Sequence, residues 1–280
     1  MLFEQAFMAL PEFLTGLPYD ELHYEGSLLS AFSMSILQEL NGRNVNNPIS
    51  CLRSEVKYPS FGGKRADMHL DLNGMNILTE TLSNYGVYRH NWLEGKFFRK
   101  NSSGGATIDK TKTTILLLND IIRLFILVPD RLLASSRSDS GRYLLHAYQE
   151  DAGQHLPVRC NRIGNQPAFE RTWVKNIRKP GTHEISIICR KEVAQFDDLV
   201  GNQLRNLSLW AKVTNLSYES LEKTDRTYDC YLTRIDDFEV QLNGNWFGRK
   251  KGLFFERYSK SDEVSGSYET IKTHVKNGLL

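Results

Sequence analysis

Asp67 and the later triplet Glu94-Gly95-Lys96 are the side chains in this sequence whose types and spacing best fit a chemical task. Side chains two residues apart on a β-strand point to the same face, about 6.5–7 Å apart, so Glu94 and Lys96 project together if their segment is a strand. A neighbouring strand would bring Asp67 against Glu94. Two carboxylates suit a hard cation such as Mg²⁺, and an adjacent ammonium can orient or deprotonate water and offset charge on a phosphate. The set therefore favours metal-assisted hydrolysis of a phosphodiester.

The hydrophobic pattern predicts strands for both segments. Residues 65–72 alternate, with Met68 and Leu70 on one face and Asp67 on the other, which is the period of a half-buried strand. The pair Asn73-Gly74 then predicts a turn. Residues 87–98, which carry Glu94 and Lys96, are rich in aromatic side chains and are predicted to form another strand.

The surrounding elements indicate a mixed sheet flanked by helices, since the order differs from the strict alternation of a doubly wound fold. Residues 75–82 fit either a strand or a short helix. Residues 253–258 give a weaker strand pattern. The other predicted elements are helices over 27–40 and 109–128, and strands over 51–58, 142–149, 183–189 and 227–242.

Composition excludes several classes of protein. The chain has 280 residues, of which 40% are hydrophobic and 24% charged, so wholesale disorder is excluded. No apolar run is long enough for a membrane helix, and the first residues lack a signal-peptide pattern, so we expect an intracellular, cytoplasmic protein of prokaryotic or phage type without a membrane partner. The net charge of +2 means that nucleic acid would be bound by local basic patches.

The two segments around Asp67 and Glu94 resemble the active-site strands of the PD-(D/E)XK nuclease superfamily, which includes most type II restriction endonucleases and many phage-defence nucleases. The residues that carry the resemblance are Arg65-Ala66-Asp67-Met68-His69-Leu70-Asp71, Tyr85-Gly86 and Asn91-Trp92-Leu93-Glu94-Gly95-Lys96-Phe97-Phe98. The resemblance covers about residues 27–150. It implies an α/β (α+β) fold with a restriction-endonuclease-like αβββαβ core, followed by a mixed C-terminal extension.

The resemblance also implies roles for individual residues. Asp67 and Glu94 match the metal ligands of the superfamily and Lys96 its catalytic lysine, with Mg²⁺ as cofactor and Mn²⁺ as a possible substitute. Glu39, in the first predicted core helix, is a candidate third metal ligand. Ala66 stands where the motif has proline, and the long separation of Asp67 from Glu94 leaves Glu80 as an alternative ligand.

A second ExK triplet, Glu55-Val56-Lys57, precedes Asp67 and lacks an upstream aspartate on a predicted strand. It is therefore not expected to form the site.

The expected partners are double-stranded DNA and a second copy of the chain, because one motif per chain requires two chains to cut both strands. Residues 1–155 would form the nuclease core, and residues 156–280 would contact DNA or form the dimer, either as a separate region or within one domain. Alternatives left open are a non-catalytic DNA-binding or assembly component that keeps the nuclease fold, and an RNA substrate. The candidate DNA-binding residues are Lys64, Arg65, Arg171, Lys175, Arg178 and Lys179.

Overall fold

A computed structural model describes residues 2–17, 24–58, 63–73, 88–99, 110–128, 140–156, 162–163, 166–167, 172–189, 207–223, 226–242 and 245–248. The helices are α1 (Leu2–Gly16), α2 (Glu25–Gly42), α3 (Lys110–Ile126), α4 (Ala152–His155) and α5 (Thr172–Asn176), with a 3₁₀ turn at Pro48–Cys51. The strands are β1 (Leu52–Lys57), β2 (Arg65–Asp71), β3 (His90–Phe98), β4 (Ser140–Gln149), β5 (Arg162–Ile163), β6 (Gln166–Pro167), β7 (Gly181–Cys189), β8 (Leu207–Lys223), β9 (Arg226–Leu242) and β10 (Asn245–Gly248). Within these described ranges, no helix is both long and apolar enough to cross a membrane.

One mixed sheet organises the molecule, so the fold is α+β. Its strand order is β1-β2-β3-β4-β9-β8-β7, with β10 added on β9, and β5 and β6 form a separate pair. The pairing of β3 with β4 is parallel, whereas the other described pairings are antiparallel. Parallel neighbours need a crossover connection, and α3 lies in that connection.

Helices cover both faces of the sheet and bury two cores. On one face α1 and α2 pack their apolar sides on β2, β3, β4 and β9, around Phe7, Phe32, Leu93 and Tyr143. On the other face α3, α4 and α5 cover β3, β4, β8 and β9. The apolar residues of β3 alternate between the two cores, and Glu94 and Lys96 have the parity of Trp92 and Phe98, which belong to the α3 side.

The predicted elements of the N-terminal half match the structure closely. The helix expected over 27–40 spans Glu25–Gly42, and the one expected over 109–128 spans Lys110–Ile126. The strand expected over 87–98 begins at His90. The prediction of a mixed sheet flanked by helices is confirmed. Residues 75–82 and 253–258, for which strands were considered, lie outside the described residues.

The C-terminal part of the chain continues the same sheet. Strand β9 pairs with β4 from Tyr143↔Arg234 to Gln149↔Tyr228, and β8 then pairs with β9. Strands from before and after the boundary expected at residue 155 therefore belong to the same sheet.

Candidate active site

Asp67, Glu94 and Lys96 meet where the pairing between β2 and β3 ends. The described ladder of these strands runs from Asp71↔His90 to Met68↔Leu93 and goes no further, although both strands continue. At the next position the Asp67 carboxylate accepts a hydrogen bond from the Gly95 backbone N–H, with 2.6 Å between Oδ2 and N. Asp67 thus satisfies a backbone donor that the ladder leaves unpaired. This contact holds its carboxylate against the peptide between Glu94 and Lys96.

Helix α3 brings two further charged side chains to the same place. Asp120 lies one turn before Arg123, so the two side chains share a helix face, and Oδ1 of Asp120 is 3.1 Å from Arg123 Nη1. The other oxygen of Asp120 is 3.5 Å from Lys96 Nζ, and Arg123 Nη1 is 3.9 Å from Glu94 Oε2. The crossover between β3 and β4 therefore places an acid–base pair over the candidate residues.

The first residue of α2 completes the cluster. Oε2 of Glu25 lies 3.2 Å from Lys96 Nζ. A Cβ atom at Gly95 would lie only 2.7 Å from Cδ2 of Leu29, so the absence of a side chain at Gly95 lets α2 pack directly on β3. The glycine of the ExK triplet therefore contributes to the position of Glu25.

Tyr58 fixes one oxygen of Glu94. Its hydroxyl donates a hydrogen bond to Glu94 Oε1 at 2.5 Å, and its ring stacks on Trp92 with 5.4 Å between centroids. The backbone N–H of Tyr58 also donates to the carbonyl oxygen of Lys64. The segment that carries Lys64 is thus tied to the residue that holds Glu94.

We call the six charged residues of this site the carboxylate cluster; they are Glu25, Asp67, Glu94, Lys96, Asp120 and Arg123. When all six are ionised, four carboxylates face two cations, which leaves a formal excess of two negative charges. Glu94 and Asp120 are almost completely buried, with 1% and 2% of their surface exposed. Such an excess is costly in a poorly solvated place and must be relieved by protons or by a cation.

The carboxyl groups show this unfavourable environment in their pKa values. Burial, followed by the charges of Asp120 and Asp67, raises the pKa of Glu94 well above its usual range. Burial raises the pKa of Asp120 to about 7, against the opposing effects of Lys96 and Arg123. Burial also raises the pKa of Asp67, although its hydrogen bond from Gly95 acts in the opposite direction. The cluster thus holds protons more tightly than free carboxylates do.

Lys96 is a cation in this arrangement. Burial by itself would lower its pKa, but the neighbouring carboxylates of Asp120 and Glu25 outweigh burial and raise the pKa above its usual value. Of the two roles expected for an adjacent ammonium, the structure favours offsetting negative charge over removing a proton from water.

The cluster fits a divalent cation through charge and through its oxygen donors. Two excess negative charges match one divalent ion, and Asp120 Oδ2 is buried without a hydrogen-bond partner. However, no group of three or more His, Cys, Asp and Glu side chains in the described parts of the chain is placed to hold a metal ion together. Asp67 and Glu94 are the two carboxylates that could hold a cation here, and Mg²⁺ commonly takes one or two carboxylates and fills its other positions with water or phosphate oxygens.

The structure does not bring Glu39 into the cluster. Its carboxylate pairs with Arg43 at 4.0 Å, near the C-terminal end of α2. Glu25 lies at the opposite end of this helix, about 20 Å away at 1.5 Å per residue. The helix that was expected to supply an acid does supply one, from its first residue. The other candidate acid, Glu80, lies outside the described residues.

The second ExK triplet, which was not expected to form the site, lies beside Asp67 on the neighbouring strand. Ser54 and Val56, which flank Glu55, pair with Met68 and Ala66, and the charge of Glu55 contributes to the raised pKa of Asp67. Glu55 and Lys57 are exposed on β1, which ends the strand order of the sheet.

The candidate DNA-binding residues divide between two places. Lys64 and Arg65 precede Asp67 directly, and Arg65 is exposed on the same side of β2 as Asp67. Lys175, Arg178 and Lys179 lie at the end of α5 and in the turn before β7. Arg171 lies outside the described residues.

No protein-family model, curated protein or solved structure matches this chain.

Proposed function

We propose that this protein is a Mg²⁺-dependent endonuclease of restriction or phage-defence type that hydrolyses phosphodiester bonds of double-stranded DNA. The observation that carries the proposal is the contact between Asp67 Oδ2 and the Gly95 N–H, because it puts one carboxylate beside both Glu94 and Lys96. Two carboxylates and an ammonium on adjoining strands are the minimal protein contribution to metal-assisted phosphodiester hydrolysis.

The order of elements around the cluster supports a PD-(D/E)XK type of site. Among the described residues between Glu25 and Gln149, the order is a helix, a 3₁₀ turn, three strands, a helix and a strand, with β3 and β4 parallel. This is the αβββαβ order that the resemblance implies. Asp67 lies on β2 and Glu94 on β3, which supports assigning these two residues by the resemblance.

Five of the six residues of the cluster, and Tyr58 beside them, have a task in the proposed reaction. Asp67 and Glu94 would hold the cation, which when bound supplies Lewis-acid stabilisation and a more acidic water. Tyr58 keeps one oxygen of Glu94 in place through its hydrogen bond. Lys96 presents its ammonium to the scissile phosphate and offsets the negative charge that develops there. Glu25 and Asp120 hold Lys96 in that position.

Binding of DNA follows from the basic residues beside the cluster. Lys64 and Arg65 would contact backbone phosphates next to the bond that is cut, and Lys175, Arg178, Lys179 and Arg171 are further candidates for phosphate contacts. One cluster per chain cuts one strand, so cleavage of a duplex requires a symmetric pair of chains. We therefore propose a homodimer as the active form.

Cleavage of supercoiled plasmid DNA tests the proposal. The wild-type protein should nick or linearise the plasmid with Mg²⁺ or Mn²⁺ and should not do so with EDTA. Asp67→Asn, Glu94→Gln and Lys96→Ala should each lower the rate by roughly 10²–10³-fold, because each removes a group that stabilises the transition state. Asp71→Asn is the matched control, since Asp71 lies on the same face of β2 but pairs with His90.

Equal cleavage by wild type and all three variants, or cleavage that persists in EDTA, would contradict the assignment. Binding of plasmid without cleavage by the wild-type protein would instead favour a non-catalytic DNA-binding component.

A further inference from the structure

A cavity lies apart from the carboxylate cluster. It has a volume of about 750 Å³ and is lined by the end of β4, by α4, by the segment that joins α5 to β7, and by the ends of β8 and β9. This size is within the range of about 300–1,000 Å³ that is usual for small-molecule sites. Its lining includes Lys175, Arg178, Lys179, Asp151, Asp229 and Tyr231.

One wall of the cavity is basic. It consists of Lys175, Arg178 and Lys179, and within the described part of the chain none of these side chains forms an ion pair with a carboxylate. Arg178 is oriented by its Nε, which donates to the carbonyl oxygen of Val174 at 3.3 Å. A Cβ atom at Gly153 would lie 3.3 Å from Nη1 of Arg178, so the glycine leaves room for the guanidinium. These three cations therefore face one space without a direct ion pair, although the carboxylates of Glu150, Asp151, Glu219 and Asp229 line the same cavity.

The opposite wall carries acids that are already engaged. Asp151 accepts the backbone N–H of Gly153 at 2.7 Å, and Asp229 accepts the N–H groups of Ala152 at 2.8 Å and Ser220 at 3.0 Å. The hydroxyl of Tyr231 donates towards Glu219 at 3.5 Å. Burial and the acids Asp229 and Glu219 raise the pKa of Tyr231, so its hydroxyl keeps its proton. This wall offers acceptors to a ligand that carries N–H or O–H groups.

We propose that this cavity binds a nucleotide unit, with its phosphate on the basic wall and its sugar or base donors on the acidic wall. A phosphate has the charge and the acceptor oxygens that unpaired Lys and Arg side chains recognise. A base or sugar hydroxyl supplies the donors that carboxylates accept. The nucleotide is either free or part of a nucleic-acid strand, and both sources share this chemistry.

The strand register gives the position of the cavity relative to the carboxylate cluster, and the sheet face between them is buried, since His146 and Tyr148 have no exposed surface. Lys96 pairs with His146 across the parallel ladder, so the two side chains share a face, and His146 stacks on Tyr231 with 5.1 Å between ring centroids. Glu150, at the cavity wall, lies four residues beyond His146, which is about 13 Å along a strand. The cavity and the cluster thus lie on the same face of the sheet. The inference does not require cleavage and stands if the protein proves to be non-catalytic.

Ligand binding by the full-length protein in EDTA tests this inference. The probes are a deoxyadenosine 5′-monophosphate, deoxyadenosine without phosphate, and a fluorescein-labelled single-stranded DNA of twelve nucleotides. The double variant Lys175→Ala/Lys179→Ala is compared with wild type and with Lys212→Ala, which removes an exposed lysine of β8 outside the cavity.

We expect the double variant to bind the monophosphate or the strand roughly 10-fold or more weakly than wild type, because two charge-assisted contacts are lost. The nucleoside should bind more weakly than the monophosphate. If the strand is the ligand, the slope of log K against log salt should fall by about 1.4 in magnitude, or about 0.7 for each lost contact with a single strand. Lys212→Ala should change neither quantity.

A loss that is confined to the monophosphate identifies a free nucleotide, and a loss that is confined to the oligonucleotide identifies a strand phosphate. The inference is overturned if neither probe binds the wild-type protein, or if the double variant binds both as tightly as wild type does. Absence of plasmid cleavage with nucleotide binding retained would refute the proposed function alone.

Discussion

Two buried groups of charges, on opposite faces of the sheet, each join a helix to a strand but are built differently. On the α1 side Arg234 of β9 pairs with Glu4 of α1 at 2.6 Å and with Asp236 at 2.5 Å; we call these three residues the Arg234 cluster. Thr214 also donates to Asp236, at 2.5 Å. In the carboxylate cluster the ion pairs are longer, at 3.1–3.9 Å, and acids outnumber cations by two.

The two clusters also differ in which side chains have raised pKa values. The guanidinium of Arg234 is a planar donor that contacts an acid on each of two sides, and its pKa is raised: burial alone would lower it, but Asp236, Tyr143 and Glu4 outweigh burial. In the carboxylate cluster the pKa values of three acids are raised instead. We therefore expect the first cluster to stabilise the fold, and we propose that a cation binds at the second.

The largest expected effect on stability comes from Arg234→Ala. The substitution removes the cation that Glu4 and Asp236 share and leaves both carboxylates half-buried without a partner cation. We therefore expect the free energy of unfolding to fall by about 2 kcal/mol, which is less than the loss of about 3–5 kcal/mol that is typical of fully buried pairs. Urea denaturation followed by circular dichroism measures this change. An unfolding free energy equal to that of wild type would show that the Arg234 cluster does not stabilise the fold.

Asp120→Asn should have the opposite effect, and the effect should depend on pH. The folded-state pKa of Asp120, about 7, lies above its value in an unfolded chain, so the folded protein binds more protons and loses stability as the pH rises from about 4 to about 7. Asparagine does not ionise, so the stability of the variant should not fall in this way as the pH rises. In EDTA at pH 8 its unfolding free energy should exceed that of wild type by at least about 1.4 kcal/mol, which corresponds to one pKa unit.

At pH 5 the advantage of Asp120→Asn should be much smaller. Asp236→Asn is the control, since it weakens the Arg234 cluster and should destabilise the protein at both pH values. A stability difference between wild type and Asp120→Asn that stays constant from pH 5 to pH 8 would contradict the account of the carboxylate cluster.

The smallest effect is expected for Glu39→Ala. Glu39 forms only the partly exposed pair with Arg43, and such pairs contribute about 0.2–1 kcal/mol. Unfolding free energy should change by no more than that, and plasmid cleavage should be unchanged. Glu25→Gln, by contrast, should slow cleavage, because Lys96 loses a partner at 3.2 Å. Slower plasmid cleavage by Glu39→Ala than by Glu25→Gln would instead indicate that Glu39 is the functional residue.

The core of the site could be predicted from the sequence because it depends on strand geometry alone. Alternation places Asp67 opposite the apolar face of β2, and a spacing of two places Glu94 and Lys96 together. Glu25, Tyr58 and Asp120 were not predicted, because their positions depend on where helices and loops cross the sheet. A signal for Asp120 was present in the sequence, since Asn119, Asp120 and Arg123 interrupt the apolar run from Ile115 to Val128.

The elements that were not predicted have physical reasons as well. Helix α1 buries Phe3, Phe7, Leu10 and Leu14 at helical spacing, but Pro11 lies inside the helix and breaks the usual pattern. Strand β8 runs for 17 residues and carries polar side chains even where it is buried. Asn215 is one of these, and its amide donates to the carbonyl oxygens of Asn176 and Lys179, which are distant in sequence.

Binding of a divalent cation is the most direct test of the contrast between the two clusters. Calorimetric titration of the metal-free protein with Mn²⁺, with and without a DNA duplex, should show binding by wild type and by Asp236→Asn. Binding should be lost in Asp67→Asn and Glu94→Gln. Binding by the wild-type protein should release protons at pH 7, because the cation displaces the protons that the carboxyl groups with raised pKa values retain. Mn²⁺ binding that is equal in all four proteins, or absent from wild type even with DNA, would contradict the assignment of the carboxylate cluster as a metal site.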